Sequence, residues 1–247
     1  MCFNISITKT VEEIGDFYGI ASAEIPPLPE YYNVSGFSHP EIPVLFTNSS
    51  GIKVIELMKW GLVPHWVKTV RDAKRITGKT LNARSETLHL LPSFRESIRK
   101  KRCVVVVDGF FEPHHSGRNR YPFFIRRKER KIISLAGLYS EWRNPDSMQE
   151  QRTFTIITAE AVGMLAKIHN SKKRMPVILP EDNELIARWL DPELHQKELP
   201  PFFEPYMADD LEAFPVSKVV YKREGNNTPL SQHPARYSEL EMWDSGT

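Results

Sequence analysis

The start of the chain alternates between apolar and polar side chains. From Phe3 to Ile7 every second residue is apolar, which is the period of a strand that buries one face. Thr10 and Glu13 follow with the spacing of a capping box, in which each side chain hydrogen-bonds the backbone amide of the other residue. The pattern predicts a first strand near the N-terminus, followed by a short helix over 11–18.

Two further apolar runs, 42–47 and 52–58, are separated by Asn48-Ser-Ser-Gly51. Small polar residues between two such runs predict a β-hairpin. Cys103 begins a run of four valines that ends at the turn signal Asp108-Gly109. This run predicts a fully buried strand.

The same reasoning extends to the rest of the chain. It predicts strands at 122–127, 131–137, 153–158 and 176–179, helices at 85–101, 160–169 and 182–190, a polar loop over 60–80, and loop-like structure from 222 onward. Strands and helices do not alternate as repeated strand–helix–strand units. We therefore expect a single α+β domain over 1–247, in which the last ~25 residues form a polar tail.

Composition places the chain among ordinary globular proteins. Of its 247 residues, 40% are hydrophobic and 26% are charged. No apolar run approaches the roughly 18 residues that a membrane helix needs, and the start has neither the basic nor the apolar segment of a secretory signal. The prediction is a cytoplasmic protein without a membrane partner.

Positive charge is clustered although the net charge is only +2. The runs 95–102 and 126–131 each contain five basic residues and one acid, and 167–174 contains four Lys or Arg residues and no acid. A basic face can bind a polyanion without a high overall charge. The alternative is that each run is simply a solvated surface.

Cysteine and histidine usage argues against a structural metal or a disulfide framework. The chain has two cysteines, Cys2 and Cys103, and a cysteine-based zinc site would need several histidines to complete it. His114 and His115 are adjacent and lack the spacing of metal ligands. We predict no metal site and no cofactor.

Cys2 has an unusual chemical option because the initiator methionine is removed when the second residue is small. The product is a 1,2-aminothiol, with an α-amine of pKa about 7.7–8.0 beside a thiol of pKa about 8.5. The amine can condense with an aldehyde, and the thiol can then close a five-membered thiazolidine. Alternatively, an N-terminal cysteine can attack an amide bond, or Cys2 can be a small buried residue of the first strand.

Two other residues suit proton transfer. Glu112 follows the valine strand after a turn, so we expect its carboxylate at an exposed strand end, where it could act as a general acid or base. His169 ends a predicted helix and can exchange protons near neutral pH. The alternatives are a surface glutamate in a hairpin and a structural histidine.

The segment 60–87 contains residue types that suit single-stranded nucleic acid. Asn82 is expected at a helix start as a neutral donor and acceptor, and Arg84 could hold a phosphate. Trp60 and Trp66 could stack on bases. The alternative is that both tryptophans belong to the core.

The order of these motifs resembles the SRAP (SOS-response-associated peptidase) family, which includes abasic-site processing proteins. The resemblance covers most of 1–220 and rests on this series: Met1-Cys2; Trp60-Gly-Leu-Val-Pro64-x-Trp66; Asn82-Ala-Arg84-Ser-Glu86-Thr; Phe94-Arg95 leading into Arg102-Cys103; Asp108-Gly-Phe-Phe-Glu112; Ala136-Gly-Leu138; Phe154-Thr-Ile-Ile-Thr158; Ile168-His169; Arg174-Met-Pro-Val-Ile-Leu179; and Pro215-Val-Ser217. It implies an α+β fold with a mostly antiparallel, barrel-like sheet flanked by helices, and a basic groove for DNA.

The resemblance also implies roles for the chemical residues. Cys2 would be the covalent nucleophile through both its amine and its thiol, and Asn82 would position the reacting centre. Glu112 would relay the proton of the Cys2 amine, and His169 would assist opening of the abasic deoxyribose to its aldehyde. Arg84 and Arg174 would hold phosphates, and Trp60 or Trp66 would shape the floor of the groove.

The chain departs from the family pattern beside the nucleophile and after the histidine. Phe3 and Asn4 replace the usual Gly-Arg, which removes an arginine next to Cys2. Four residues, 170–173, separate His169 from the following arginine where the family has one. Lys172 or Lys173 could therefore substitute for Arg174 as a phosphate contact.

The expected function is covalent capture of abasic sites in single-stranded DNA, in the response to DNA damage, by a monomeric protein. Autopeptidase and abasic-site lyase activities belong to the same expectation. Two alternatives stay open: a cysteine peptidase that uses Cys2, Glu112 and His169, and a DNA-binding module without catalysis.

Overall fold

The structure is a computed structural model that describes residues 2–207 and 209–243. Its strands, numbered along the chain, are β1 Asn4–Ile7, β2 Tyr31–Ser35, β3 Glu41–Thr47, β4 Lys53–Trp60, β5 Asn82–Arg84, β6 Arg102–Val107, β7 Gly109–Ser116, β8 Asn119–Arg127, β9 Ile133–Arg143, β10 Glu150–Glu160, β11 Arg174–Pro176, β12 Ile178–Leu179 and β13 Leu211–Pro215. The helices are α1 Val11–Tyr18, α2 Val70–Thr77, α3 Ser97–Lys100, α4 Gly163–Ile168 and α5 Asn183–Leu190. Short 3-10 turns connect several of them. No helix in the described part of the chain is long and apolar enough to cross a membrane.

The larger sheet closes on itself. Its order is β11-β10-β4-β3-β6-β9-β12, and β10 also pairs with β9 along Glu150–Ile156. On its other edge β10 runs parallel to β4 and then to β5. The result is a closed mixed barrel, mostly antiparallel, which confirms the predicted α+β class with a barrel-like sheet.

A second sheet of five strands, β13-β8-β7-β1-β2, packs against the barrel. The apolar layer between the two includes Ile5 and Phe123 from this sheet and Val105 and Phe154 from the barrel, all fully buried. The other barrel face packs beneath helices, with Trp189 of α5 among its buried residues. Because β1 has partners on both sides, the N-terminal segment lies inside the molecule.

The capping box and the hairpin are found where the sequence predicts them. Thr10 accepts from the Glu13 amide at 3.2 Å, and the Glu13 carboxylate accepts from the Thr10 amide at 2.9 Å. β3 pairs with β4 in register from Glu41–Lys59 to Thr47–Lys53. The predicted strands at 103–107, 122–127, 131–137 and 153–158 and helices at 160–169 and 182–190 are also present, with shifted ends.

The segment 60–101 differs from the prediction. The expected polar loop contains α2, which buries little besides Ala73 and so gives only a weak apolar pattern. The expected helix over 85–101 is reduced to the single turn of α3, and the residues before this turn form successive turns that Pro92 interrupts. The three residues just before the expected helix join β10 as β5. Asn82 therefore stands in a strand and not at a helix start.

The predicted strand at 176–179 is divided at Val177. β11 pairs with β10, whereas β12 pairs with β9. Val177 bridges the two, since its amide donates to the Ile157 carbonyl and its carbonyl accepts from Ala136. The chain thus passes from one barrel strand to the next within three residues.

The corner between β6 and β7 fixes the first strand. The Asp108 carboxylate accepts from the amide of Thr8 at 2.7 Å and from the hydroxyls of Ser6 and Thr8. Gly109 follows, and a Cβ there would lie 2.3 Å from a ring carbon of Phe124. Only glycine allows β7 to approach β8 this closely, which explains the Asp-Gly pair at this position.

The segment after β13 is ordered against the five-stranded sheet. We call residues 218–232 the C-terminal strap; it contains 3-10 turns at Lys218–Tyr221 and Pro229–Gln232. The Gln232 side chain donates to the Ser6 hydroxyl at 2.6 Å and to the Tyr32 carbonyl at 3.0 Å. This part of the expected polar tail therefore packs on β1 and β2.

Candidate active site

Cys2 lies two residues before β1 and is fully buried. The Asn82 side-chain amide, on β5, donates to the Cys2 carbonyl at 2.9 Å. The other atom of that amide, Oδ1, is buried and has no hydrogen-bond partner among the described residues. Asn82 thus joins the N-terminal segment to the barrel, and its Oδ1 can accept one further hydrogen bond close to Cys2. Met1 lies outside the described residues, so the expected removal of this residue is not addressed by the structure.

Glu112 lies within β7, where only 2% of the residue is exposed. The prediction of a carboxylate at an exposed strand end is wrong, because β7 begins at Gly109 and carries Glu112 into the interior before the hairpin is reached. Burial disfavours the charged carboxylate and raises its pKa from 4.5 to about 7. Near neutral pH this group can therefore either give or take a proton.

His169 caps the C-terminal end of α4, as predicted, and faces Glu112. Its Nδ1 is 3.1 Å from Glu112 Oε2 and 2.9 Å from the Arg174 carbonyl oxygen. Burial lowers the pKa of His169 from 6.5 to about 4, so the imidazole is neutral at pH 7. A neutral imidazole and a carboxyl group that titrates near 7 form a pair able to move protons.

Burial raises the pKa of the Cys2 thiol well above its usual range, and the nearby Glu112 carboxylate raises it further. The thiol is therefore protonated at neutral pH in the full-length chain. A nucleophilic role would need a base that removes this proton as the sulfur attacks. Glu112 is the carboxylate that is coupled to the thiol electrostatically.

A groove of about 810 Å³ opens over this pair. Glu112 and His169 lie in its lining, together with aromatic rings and basic side chains. Phe3 and Phe37 form part of the wall, with ring centroids 4.9 Å apart, and 60% of Phe37 is exposed. The groove thus combines a buried proton-transfer pair with a surface that suits a nucleic acid.

The comparisons with known proteins agree with one another. The family model for SOS response associated peptidase (SRAP) matches residues 1–223. The abasic site processing protein YoqW of Bacillus subtilis is 31% identical over 232 residues, which cover 93% of this chain and 98% of that protein. The chain belongs to the SRAP family.

More distant and structural relatives support the same assignment. The abasic site processing protein HMCES of Gallus gallus is 34% identical over 200 residues, which cover 73% of this chain and 57% of that protein. A crystal structure of a protein from Bacteroides thetaiotaomicron is 33% identical, with a TM-score of 0.84 and coverage of 95% of this chain and 100% of that one. The fold and the family are thus shown together.

In this SRAP chain the lengthened segment after His169 is fastened to β7. The Asn170 side chain donates to the His115 carbonyl at 2.7 Å and accepts from the His115 amide at 3.0 Å. One turn earlier, His114 Nδ1 lies 3.1 Å from the Lys167 carbonyl oxygen. Because β7 also carries Glu112, these contacts fix the end of α4 relative to the carboxylate.

Three of the candidate phosphate contacts, Arg84, Lys172 and Lys173, lie close together, although their binding to DNA remains a prediction. They line a polar cleft of about 370 Å³, and all three are exposed. Lys172 also lines the larger groove. The cleft and the groove therefore form one continuous surface.

Arg174 lines the same cleft, but its guanidinium is held differently from these three cations. Its guanidinium makes two bonds to the Glu86 carboxylate, at 2.5 and 3.0 Å, and donates to the Thr158 carbonyl at 2.5 Å. Only 11% of its side chain is exposed. In this conformation Arg174 links β11, β10 and the segment after β5, and most of its donors are already used.

The two tryptophans are placed differently. Trp60 is fully buried, stacks on Phe154 and donates to the Leu81 carbonyl at 2.8 Å, so it presents no ring face to a base. Its effect on the groove is indirect, through packing. Trp66 is 46% exposed and donates to the Pro92 carbonyl at 3.3 Å, which leaves it accessible for stacking.

Sequence reasoning missed several residues of the groove wall. Arg120 lies over the Tyr221 ring, 3.9 Å from its centroid, and Lys222 and Arg223 lie beside them in the lining. Arg120 follows a hairpin turn, and the other three lie at the start of a polar segment. No local pattern distinguishes them, because a contact across a hundred residues creates the site.

Proposed function

We propose that this SRAP protein captures abasic sites in single-stranded DNA through a covalent bond to Cys2. The observation that carries the proposal is the Asn82–Cys2 hydrogen bond beside the buried Glu112–His169 pair, at the base of a groove with basic walls. YoqW and HMCES bear the name abasic site processing protein, which agrees with this substrate.

The reaction begins once Met1 has been removed. The α-amine of Cys2 adds to the C1′ aldehyde of the ring-opened deoxyribose, and loss of water gives an imine. The thiol then adds across the carbon–nitrogen double bond: sulfur bonds to carbon, and the thiol proton ends on nitrogen. The product is a thiazolidine, and no oxidant, reductant or metal is consumed.

Glu112 and His169 serve the proton transfers in this proposal. Neutral His169 takes the proton of the C1′ hydroxyl, the C1′–O4′ bond breaks as the aldehyde forms, and His169 returns the proton to O4′. Glu112, with a pKa near 7, accepts a proton from the Cys2 amine or thiol and returns it to the departing hydroxyl. Groups whose pKa lies near the working pH are the most effective in such steps.

Single-stranded DNA is the expected substrate for a steric reason. In a duplex the C1′ atom is hidden beside the stacked bases and the partner strand, and exposing it costs a few kcal/mol of unstacking. The candidate contacts are Arg84, Lys172, Lys173 and Trp66, which recognise phosphates and ring faces rather than base edges. Sequence preference should therefore be weak.

A peptidase or autopeptidase is the second candidate function. The family description contains the word peptidase, and a buried thiol beside a carboxylate and an imidazole suits attack on an amide bond. The same side chains serve both reactions, so geometry alone does not separate them. Cleavage of an unrelated peptide that requires Cys2 would favour this alternative.

The deciding experiment combines N-terminal mass spectrometry with crosslinking. The mature protein should lack Met1 and form an adduct with abasic single-stranded DNA that survives a denaturing gel. Cys2→Ala and Cys2→Ser both keep the α-amine but lack the thiol, so each should lose the stable adduct and give only an imine that borohydride traps. An equally stable crosslink in Cys2→Ala would refute the mechanism.

A further inference from the structure

The C-terminal strap forms a wall of the groove by attaching to strand β2. Asn33 donates to the carbonyls of Val220 and Asn226 at 3.3 and 3.4 Å. Asn227 accepts from the Tyr32 amide at 2.7 Å. β2 is an edge strand, and an exposed edge leaves unpaired backbone groups, which the strap satisfies.

The strap brings positive charge to this wall. Lys222 and Arg223 line the groove together with Arg120 of β8. Among the residues that the structure describes, no ion pair within 4.0 Å involves any of these three. Their charges therefore face the groove without internal compensation.

Arg120 is also held in a defined plane. Its guanidinium carbon lies 3.9 Å from the centroid of Tyr221, the geometry of a cation–π contact. Stacking restricts the guanidinium without using its N–H donors, which remain free for an anion. Preorganisation of this kind lowers the entropy lost on binding.

Tyr221 supplies a second indication that the groove binds a polar ligand. Its hydroxyl is buried and has no hydrogen-bond partner among the residues that the structure describes. Buried hydroxyl groups almost always have a partner. A phosphate or sugar oxygen in the groove would accept this hydrogen bond.

We propose that Arg120, Lys222 and Arg223, with the hydroxyl of Tyr221, form a second phosphate-binding cluster for the DNA strand. This strap cluster binds different phosphates from the loop cluster of Arg84, Lys172 and Lys173, because Arg84 and Lys173 line the adjoining cleft and not the groove in which the strap cluster lies. The inference rests on the proposed function and specifies the path of the bound strand.

The test separates binding from chemistry by using two kinds of DNA. A single-stranded oligonucleotide with one tetrahydrofuran site lacks the aldehyde, so it reports equilibrium binding. The double variant Arg120→Ala/Arg223→Ala should bind this oligonucleotide more weakly, and the slope of log affinity against log salt should fall by about 1.4, from about 0.7 for each lost contact. Arg118→Ala removes an exposed arginine of the same hairpin that does not line the groove, and should leave the slope unchanged.

Neutral methylphosphonates then locate the contacts. They replace the phosphates around the tetrahydrofuran site one at a time, in wild type and variants. The affinity of the double variant Arg120→Ala/Arg223→Ala (the strap variant) should no longer respond to methylphosphonates at one set of positions. The affinity of Arg84→Ala should no longer respond at a different set. An unchanged slope in the strap variant, or insensitivity of both variants at the same phosphates, would overturn the proposal.

Tyr221 variants test the stacking and the hydroxyl separately. Tyr221→Leu removes both and should weaken binding more than Tyr221→Phe, which keeps the ring beneath Arg120. Equal affinity of Tyr221→Leu and wild type would contradict a role for the stack. At saturating natural abasic DNA the strap variant should still crosslink. If wild type binds the tetrahydrofuran DNA but never crosslinks, the proposed function fails while the strap cluster stands.

Discussion

Replacing Glu112 by glutamine should change how the stability of the protein depends on pH. Glu112 titrates at about 7 in the folded chain against an ordinary value of 4.5. A carboxyl group whose pKa is raised by folding favours the folded state below the unfolded pKa, and this advantage is lost as the pH rises through the folded pKa. The relevant window is therefore pH 4.5 to 8.

The magnitude follows from the same two values. A rise from 4.5 to about 7 corresponds to about 3 kcal/mol, because one pKa unit is worth about 1.4 kcal/mol. The glutamine side chain stays neutral at every pH, so the variant does not lose this stability as the pH rises. The free energy of unfolding of Glu112→Gln, relative to wild type, should therefore increase by about 3 kcal/mol between pH 4.5 and pH 8.

His169 acts in the opposite direction and must be separated from this effect. Its folded pKa is lowered to about 4, so its stabilising contribution is present above 6.5 and is lost as the pH falls through 4. His169 is present in both proteins, so the difference between variant and wild type isolates Glu112. Urea unfolding followed by tryptophan fluorescence, at several pH values, measures this difference.

A second glutamate-to-glutamine variant serves as the control for this measurement. Glu12→Gln changes an exposed carboxylate of α1 and should leave the pH dependence as it is in wild type. If the stability difference between Glu112→Gln and wild type does not vary with pH, Glu112 does not have a raised pKa. Its assignment as an acid–base group near neutrality would then be withdrawn.

Three further predictions concern activity. Glu112→Gln and His169→Ala should each slow crosslinking by ~10²–10⁴-fold while binding of tetrahydrofuran DNA is kept; a rate equal to wild type in a gel time course would remove that residue from the mechanism. Arg84→Ala should lower the salt slope on single strands by about 0.7, and fully duplex abasic DNA that is bound and crosslinked as well as single-stranded DNA would show the substrate to be wrong. Asn170→Ala should free the segment after α4 from His115 and shift the pH profile of the crosslinking rate, with little change in affinity for tetrahydrofuran DNA. An unchanged profile would mean that the Asn170–His115 contacts do not position His169.

The local parts of the fold were predictable because their determinants lie within a few residues. The helix α1 needs only Thr10 and Glu13, which cap it, and the hairpin of β3 and β4 needs only its turn. The expectation of Asn82 at a helix start was wrong for the opposite reason. Asn82–Arg84 is drawn into the barrel by β10, more than seventy residues later in the chain, and no local pattern carries that information.

The candidate site was predictable as a set of residues and much less as a geometry. Cys2, Asn82, Glu112 and His169 could be named from their order in the chain, and the structure brings all four to one region. The burial of Glu112 could not be foreseen, since it depends on packing between two sheets. The same holds for Trp60, whose burial follows from contact with Phe154, and for Arg120, whose partner Tyr221 is far away in sequence.

The position of β1 between β7 and β2 determines when the N-terminal segment can be enclosed during synthesis. β1 pairs with β7 through Asn4 and Phe111, so it cannot be enclosed before residue 111 has been synthesised. At ~5–20 residues per second, synthesis to that point takes about 6 to 22 seconds. Until then β1 can pair only with β2, so the N-terminus lies at an open strand edge, where, under the proposed function, an aminopeptidase can reach Met1. The strap, which reaches Ser6 through Gln232, completes the groove only near the end of translation. The reactive amine would thus be produced first, and the pocket that holds it would assemble around it afterwards.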